Sequence, residues 1–144
     1  MNNVNIGNSG EYFVAGELER RGFSVAVPMS NTKEFDILTI NMKNKKQYAV
    51  QLKTKTKNKR KLILKKENEH LIGDNIIYVF VYLNNLSVPK YYIVPSKIVA
   101  ETIIINHQVW LNALGRNGKP HKDSNMRKFE IYDDKFLNNW DLFK

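Results

Sequence analysis

Cysteine is missing from all 144 residues, which excludes disulfides and thiolate metal sites. Long apolar runs are missing as well. The longest, from Ile76 to Leu83 and from Ile103 to Ile105, fall far short of the roughly 20 residues that a membrane span needs. The opening Met1 to Gly7 lacks a basic region followed by an apolar run, so no signal peptide is expected, and the expected setting is the cytoplasm. No glycine loop of the NTPase type is present, which argues against ATP or GTP use. His70, His107 and His121 are scattered without metal-ligand spacing, and His70 and His107 read as ordinary surface or interface residues. Internal repeats, low-complexity linkers and domain boundaries are also lacking. What remains, 42% hydrophobic and 11% aromatic, is the composition of one compact domain, residues 1–144, around one core.

Positive charge is abundant and unevenly spread. Lys43 to Lys66 holds 11 Lys or Arg and no Asp or Glu, whereas the rest of the chain holds 12 basic and 14 acidic residues. The net charge of +9 therefore comes from one stretch. Lys53, Lys55, Lys57, Lys59 and Lys61 share parity and would line one face if the strand holding Lys53 continued. A focused basic patch is the electrostatic footprint of a nucleic-acid binder, and Lys55, Lys57, Lys59, Arg60 and Lys61 are its expected phosphate contacts. A solvated loop that only aids solubility is the plainer alternative.

The basic stretch begins beside a cluster of another kind. Glu34 to Ile40 and Tyr48 to Lys53 are β-rich segments ending in turn-forming runs, and both read as strands. Gln51 and Lys53 share one face of theirs, while Tyr48, Val50 and Leu52 share the other. The link from Asn41 to Lys46 suits a hairpin. If Lys43 and Asn44 are its central residues, Asp36 falls opposite Gln51. An acid, an amide oxygen and an ammonium then meet at one point, as divalent-metal phosphoryl chemistry requires. The alternative is a cross-strand salt bridge between Asp36 and Lys53, with Gln51 merely solvated.

Glu11 adds a fourth member. The stretch from Glu11 to Arg21 has no proline and Gly22 is a plausible stop, so it reads as a helix. At about 100° per residue, Val14, Ala15, Leu18 and Gly22 lie within about 60° of Glu11, which puts this carboxylate on the core-facing stripe. Such a carboxylate is costly unless it is paired or metal-bound. Asn8 as N-cap with Glu11 three residues on would instead make Glu11 a helix-start residue.

An inward helical Glu, a strand Asp and a strand acid-or-amide–x–Lys together resemble the PD-(D/E)xK nuclease superfamily. Gly10-Glu11 with Glu19-Arg20-Arg21-Gly22-Phe23 is similar to the first motif of archaeal Holliday-junction resolvases. The resemblance covers roughly residues 8 to 55. Phe35 stands where the superfamily has proline, and Gln51 where it usually has Glu or Asp; some intron-encoded homing endonucleases look similar in using Gln-x-Lys. Tyr92 to Ser96, His121 to Phe129 and Trp140 to Leu142 resemble small bacterial members of the superfamily. The resemblance implies a restriction-endonuclease-like α/β domain and a Mg²⁺- or Mn²⁺-dependent endonuclease that leaves a 3′-hydroxyl and a 5′-phosphate. It implies that Asp36, the Gln51 oxygen, the Leu52 carbonyl and Glu11 hold the metal, while Lys53 supports the attacking water. DNA is the expected partner, and a homodimer would supply a site for each strand. The alternatives are a catalytically silent nucleic-acid-binding module and a protein whose basic stretch docks an acidic partner.

The remaining segments predict a mixed sheet of four to five strands flanked by helices, with the site at one edge. Strands are expected at Phe23 to Pro28, Ile76 to Leu83 (central, apolar on both faces), Tyr91 to Val94 and Met126 to Tyr132. Ser96 should cap a helix reaching Asn106 or Leu114, and Asp133 or Asp134 should cap a terminal helix ending at Phe143. Gly115 to Lys122 reads as a flexible basic loop in which His121, Lys122 and Arg127 could contact phosphate. Trp110 and Trp140 fit apolar helix faces as core anchors.

Overall fold

A computed structural model describes residues 1–29, 34–57, 61–131 and 133–144. The first helix, α1 (Asn3–Glu19), starts well before Glu11, because the Asn2 side chain caps it by accepting from Asn5 N–H at 2.8 Å. Asn8 is therefore inside the helix, and the capping-box reading of Glu11 falls away. Val14 and Leu18 on its inner stripe are fully buried. Gly22, at φ 89°, makes the left-handed turn out of the helix.

β1 (Phe23–Ala26), β2 (Ile37–Asn41) and β3 (Gln47–Lys55) form an antiparallel meander. β3 runs parallel to β5 (Ile76–Tyr82), which pairs antiparallel with β6 (Lys90–Pro95). Among the described residues these make one mixed sheet in the order β1-β2-β3-β5-β6. The β2–β3 register sets Ile37 opposite Val50 and Ile40 opposite Gln47. That register is the one the sequence predicts, but it ends at Ile37: Asp36 N–H bonds to the Val50 carbonyl rather than pairing with Gln51. The turn differs: residues 42–45 make a four-residue loop, with Lys45 at φ 63° and the Asn41 side chain bonded to Lys43 N–H at 2.9 Å. β3 is the middle strand, so the expected site lies inside the sheet rather than at an edge.

Two elements depart from expectation. Residues 61–65 form β4 (Lys61–Lys65), which pairs with β7 (Met126–Glu130) as a separate two-stranded ribbon. Its Lys-Leu-Ile-Leu-Lys alternation buries Leu62 and Leu64, and the density of charge hid that strand pattern. The lysine parity seen in the sequence therefore ends at Lys55. The expected terminal helix is instead a pair of 3-10 turns, Asp134–Phe136 and Trp140–Leu142, although Asp133 does cap the first.

The helix α2 (Ser96–Asn112) begins where expected, but Ser96 is not its cap. The buried Ser96 hydroxyl bonds instead to the main chain of Gly73, as donor at 3.0 Å and acceptor at 3.1 Å. One sheet face is covered by α1 and the C-terminal turns, where Phe23, Tyr48, Tyr91, Trp140 and Phe143 pack together. The other is covered by α2 and the ribbon, over Tyr78, Phe80, Tyr82, Leu62, Leu64 and Phe129. Each fully buried large apolar side chain contributes about 1.5–3 kcal/mol, so β5, buried on both faces, ties the layers together. No helix among the described residues is long and apolar enough to cross a membrane.

Candidate active site

β2 begins at Ile37, one residue after Asp36, while β3 continues past Val50. The two strands part at this point. Asp36 N–H donates to the Val50 carbonyl at 3.0 Å, and the Asp36 carboxylate accepts from Leu52 N–H at 2.7 Å. The carboxylate thus stands where the next carbonyl of β2 would be. In a strand, the N–H and C=O of one residue point to the same side, so the Leu52 carbonyl is directed into the same gap.

Gln51, half-buried, donates its side-chain Nε2 to the Glu34 carbonyl at 2.8 Å. A carbonyl only accepts, so this contact fixes the nitrogen end of the amide and turns Oε1 the other way. Lys53 is exposed, two residues along on the same face.

Glu11 is brought to the gap by a close crossing of α1 over β3. A Cβ on Gly10 would lie 1.8 Å from Thr54 Oγ1, so only glycine allows the contact. The next residue, Glu11, lines a cleft of about 520 Å³ together with Asp36, Leu52, Lys53, Lys55 and Lys57. Two carboxylates and three lysines line this cleft with Leu52, whereas Gln51 is not among its lining residues, so hard oxygen donors stand next to cations. That set fits a Mg²⁺ or Mn²⁺ ion that keeps several waters. Among the described residues no three His, Cys, Asp or Glu side chains form a fuller cage.

The other expected contacts lie elsewhere. Lys61 opens β4, and its carbonyl accepts from Lys55 Nζ at 3.1 Å. Lys59 and Arg60 lie outside the described residues, as does Tyr132. His121 is half-buried and stacks on Trp110, with ring centroids 4.1 Å apart, while Lys122 is exposed in the same loop. Neither lines the cleft.

Arg127 corrects an expectation outright. It is 2% exposed, bonds to the Glu69 carboxylate at 2.5 Å, and donates to the carbonyls of Ser124 and Met126. A guanidinium so enclosed holds the 3-10 turn Lys66–His70 against β7 and does not reach a phosphate. His107, expected as an ordinary surface or interface residue, is buried and hydrogen-bonded to Asp123 at 2.8 Å. Bonds to His107 and to Ser124 N–H hold the Asp123 carboxyl below its ordinary value. The helical spacing of Val99, Ile103 and His107 was the signal for that burial. Trp110, stacked on both His107 and His121, is only half-buried, whereas Trp140 is the core anchor expected.

No protein-family model matches the chain, and no curated protein matches it significantly in sequence. Its fold is shared with a solved structure, that of Hjc from Archaeoglobus fulgidus, a Holliday junction resolvase from an archaeal hyperthermophile. The TM-score is 0.50 at 12% identity, over 86% of this chain and 83% of that one. The likeness is one of fold: a mixed α/β sheet flanked by two helices.

Proposed function

We propose that this protein is a divalent-metal-dependent nuclease that hydrolyses phosphodiester bonds in DNA. One observation carries the reading: Glu11, Asp36, Leu52 and Lys53 come from a helix and two diverging strands, yet line one cleft walled by Lys55 and Lys57. In this reading Asp36, Glu11, the Leu52 carbonyl and Gln51 Oε1 hold Mg²⁺ or Mn²⁺. When bound there, the ion would supply a lowered pKa for a water and a counter-charge for the scissile phosphate. Lys53 orients the attacking water and offsets the charge that builds on the phosphoryl oxygens. A bond forms from the water oxygen to phosphorus as the water gives a proton to solvent, and the bond from phosphorus to the 3′-oxygen breaks as that oxygen takes a proton from solvent. Lys55 and Lys57 hold flanking phosphates. A twofold pair of such chains would present one site to each strand of a duplex.

Gln51 favours a second reading, a nucleic-acid-binding module without catalysis. Its amide is tied to the Glu34 carbonyl and adds no negative charge to the cation site. Incubation with supercoiled plasmid and branched DNA, with Mg²⁺ or Mn²⁺, separates the two. Cleavage should occur with wild type and be lost in Lys53→Ala and Asp36→Ala. Undiminished cleavage in both variants would expose a contaminant and remove the enzyme reading. Salt-sensitive DNA binding without cleavage in any variant would leave the silent module.

A further inference from the structure

The β4–β7 ribbon has an inner and an outer face. Leu62, Leu64, Arg127 and Phe129 point inward, none more than 2% exposed. Lys61, Ile63 and Lys65 of β4 and Met126 and Lys128 of β7 are exposed on the other side, with Glu130 half-exposed beside them. Lys61 lies opposite Glu130 and Ile63 opposite Lys128, so Lys61 and Lys128 are diagonal neighbours. The charge of Lys61 is the first cause holding Lys128 below the usual lysine range. Burial adds to that effect and Glu130 opposes it. Two cations at diagonal positions on one face repel each other, and an anion between them would relieve the repulsion.

The pair stands on a rigid base. Phe129 stacks on Phe80 with ring centroids 5.1 Å apart, Arg127 is locked to Glu69, and Asn106 Nδ2 donates to the Lys128 carbonyl at 3.2 Å. It is also continuous with the cleft, through the bond from Lys55 Nζ to the Lys61 carbonyl. Lys65, whose ammonium is 4.0 Å from Glu67, lies about 13 Å further along the strand.

We propose that the outer face of this ribbon is a second contact for the nucleic-acid backbone, in which Lys61 and Lys128 together hold one phosphate and Lys65 holds another. The inference rests on the nucleic-acid reading above and extends it, because the backbone leaving the cleft at Lys55 meets the ribbon next. An acidic protein could use the same charges, but the continuity with the cleft favours nucleic acid.

The test is duplex binding followed by fluorescence anisotropy from about 50 to 200 mM salt. The proteins compared are wild type and Lys61→Gln/Lys65→Gln/Lys128→Gln. All three lysines are exposed, and a thermal melt checks that the triple variant folds. Two phosphates are lost, so the slope of log K against log[salt] should flatten by about two units in the triple variant. Glu130→Gln, which removes no cation, should tighten binding in the same assay. An unchanged slope in the triple variant, against a salt-dependent wild type, would overturn the ribbon contact and leave the cleft reading standing. Absence of salt-dependent binding in wild type would overturn the nucleic-acid reading itself. Loss of polyaspartate binding in the triple variant, with duplex binding intact, would assign the face to an acidic protein instead.

Discussion

Lys53 and Arg127 are both cations on strands, and the molecule surrounds them in opposite ways. Arg127 lies beneath the ribbon at 2% exposure, with one carboxylate and two carbonyls accepting from it. Lys53 stands exposed where β2 and β3 part, beside two carboxylates in an open cleft. A buried cation with every partner supplied by its own chain can only hold structure. An exposed cation beside clustered oxygens is placed for a ligand. The contrast predicts that stability and chemistry separate cleanly between the two regions.

The largest effect should come from breaking the buried pair. Arg127→Ala leaves Glu69, whose side chain is 15% exposed, without its guanidinium. Stability should fall by about 3–5 kcal/mol, measured by urea unfolding. Replacing both partners by apolar residues, as in Arg127→Met with Glu69→Leu, should restore much of that loss. A small effect of Arg127→Ala would mean that the pair does not secure the ribbon.

At the other pole, Lys53→Ala should leave the unfolding free energy nearly unchanged, within about 0.5 kcal/mol. Cleavage should drop roughly 10²–10³-fold, the scale seen on removing one preorganised stabilising group. A variant that is both inactive and destabilised would erase the distinction between the regions.

How far each region was legible in the sequence follows from the range of its determinants. The β2–β3 register, the burial of β5 on both faces and the face shared by Gln51 and Lys53 depend on local apolar patterning and one short loop. Glu11 was placed through the three-and-four spacing of its apolar neighbours. The fate of Arg127 depended on Glu69, 58 residues away, and no local pattern announces that partner. β4 was missed because its alternation lies inside a lysine run, where charge suggested solvent and the leucines were the signal. The Ser96 hydroxyl was drawn from its helix end to Gly73, a tertiary contact that overrides a capping preference.

Gln51 sharpens the comparison within the cleft. Gln51→Glu adds a negative charge near Asp36 and should tighten Mg²⁺ binding by about 1–2 kcal/mol, taking an effective dielectric near 20. It also replaces the Nε2 donor that meets the Glu34 carbonyl at 2.8 Å with an oxygen. Without metal, the variant should therefore be less stable by about 0.5–1.5 kcal/mol. Calorimetry with Mg²⁺, together with melts in chelator, should show the two effects with opposite signs. Equal Mg²⁺ affinity in wild type, Gln51→Glu and Asp36→Ala would mean that no metal is held at these residues.

The smallest effect tests whether burial with partners, rather than burial alone, is what stabilises. Tyr78 and Tyr82 are both buried on β5, and burial pushes the hydroxyl of each up to about 12 from an ordinary 10.0. The Tyr78 hydroxyl accepts from Asn68 Nδ2 at 2.9 Å, whereas that of Tyr82 has no hydrogen-bond partner among the described residues. Tyr78→Phe should cost about 1 kcal/mol by stranding Asn68, and Tyr82→Phe should gain about 1 kcal/mol at neutral pH. The pH dependence follows from the direction of the shifts. A folded-state pKa above the unfolded one stabilises the fold below pH 10.0, and that contribution disappears as pH rises through about 12. Tyr82→Phe should therefore flatten the fall in stability across this alkaline range, as read by urea midpoints at successive pH values. A destabilised Tyr82→Phe with an unchanged alkaline slope would show that the hydroxyl has a partner in solution, and that both tyrosines belong with Arg127 as satisfied buried groups.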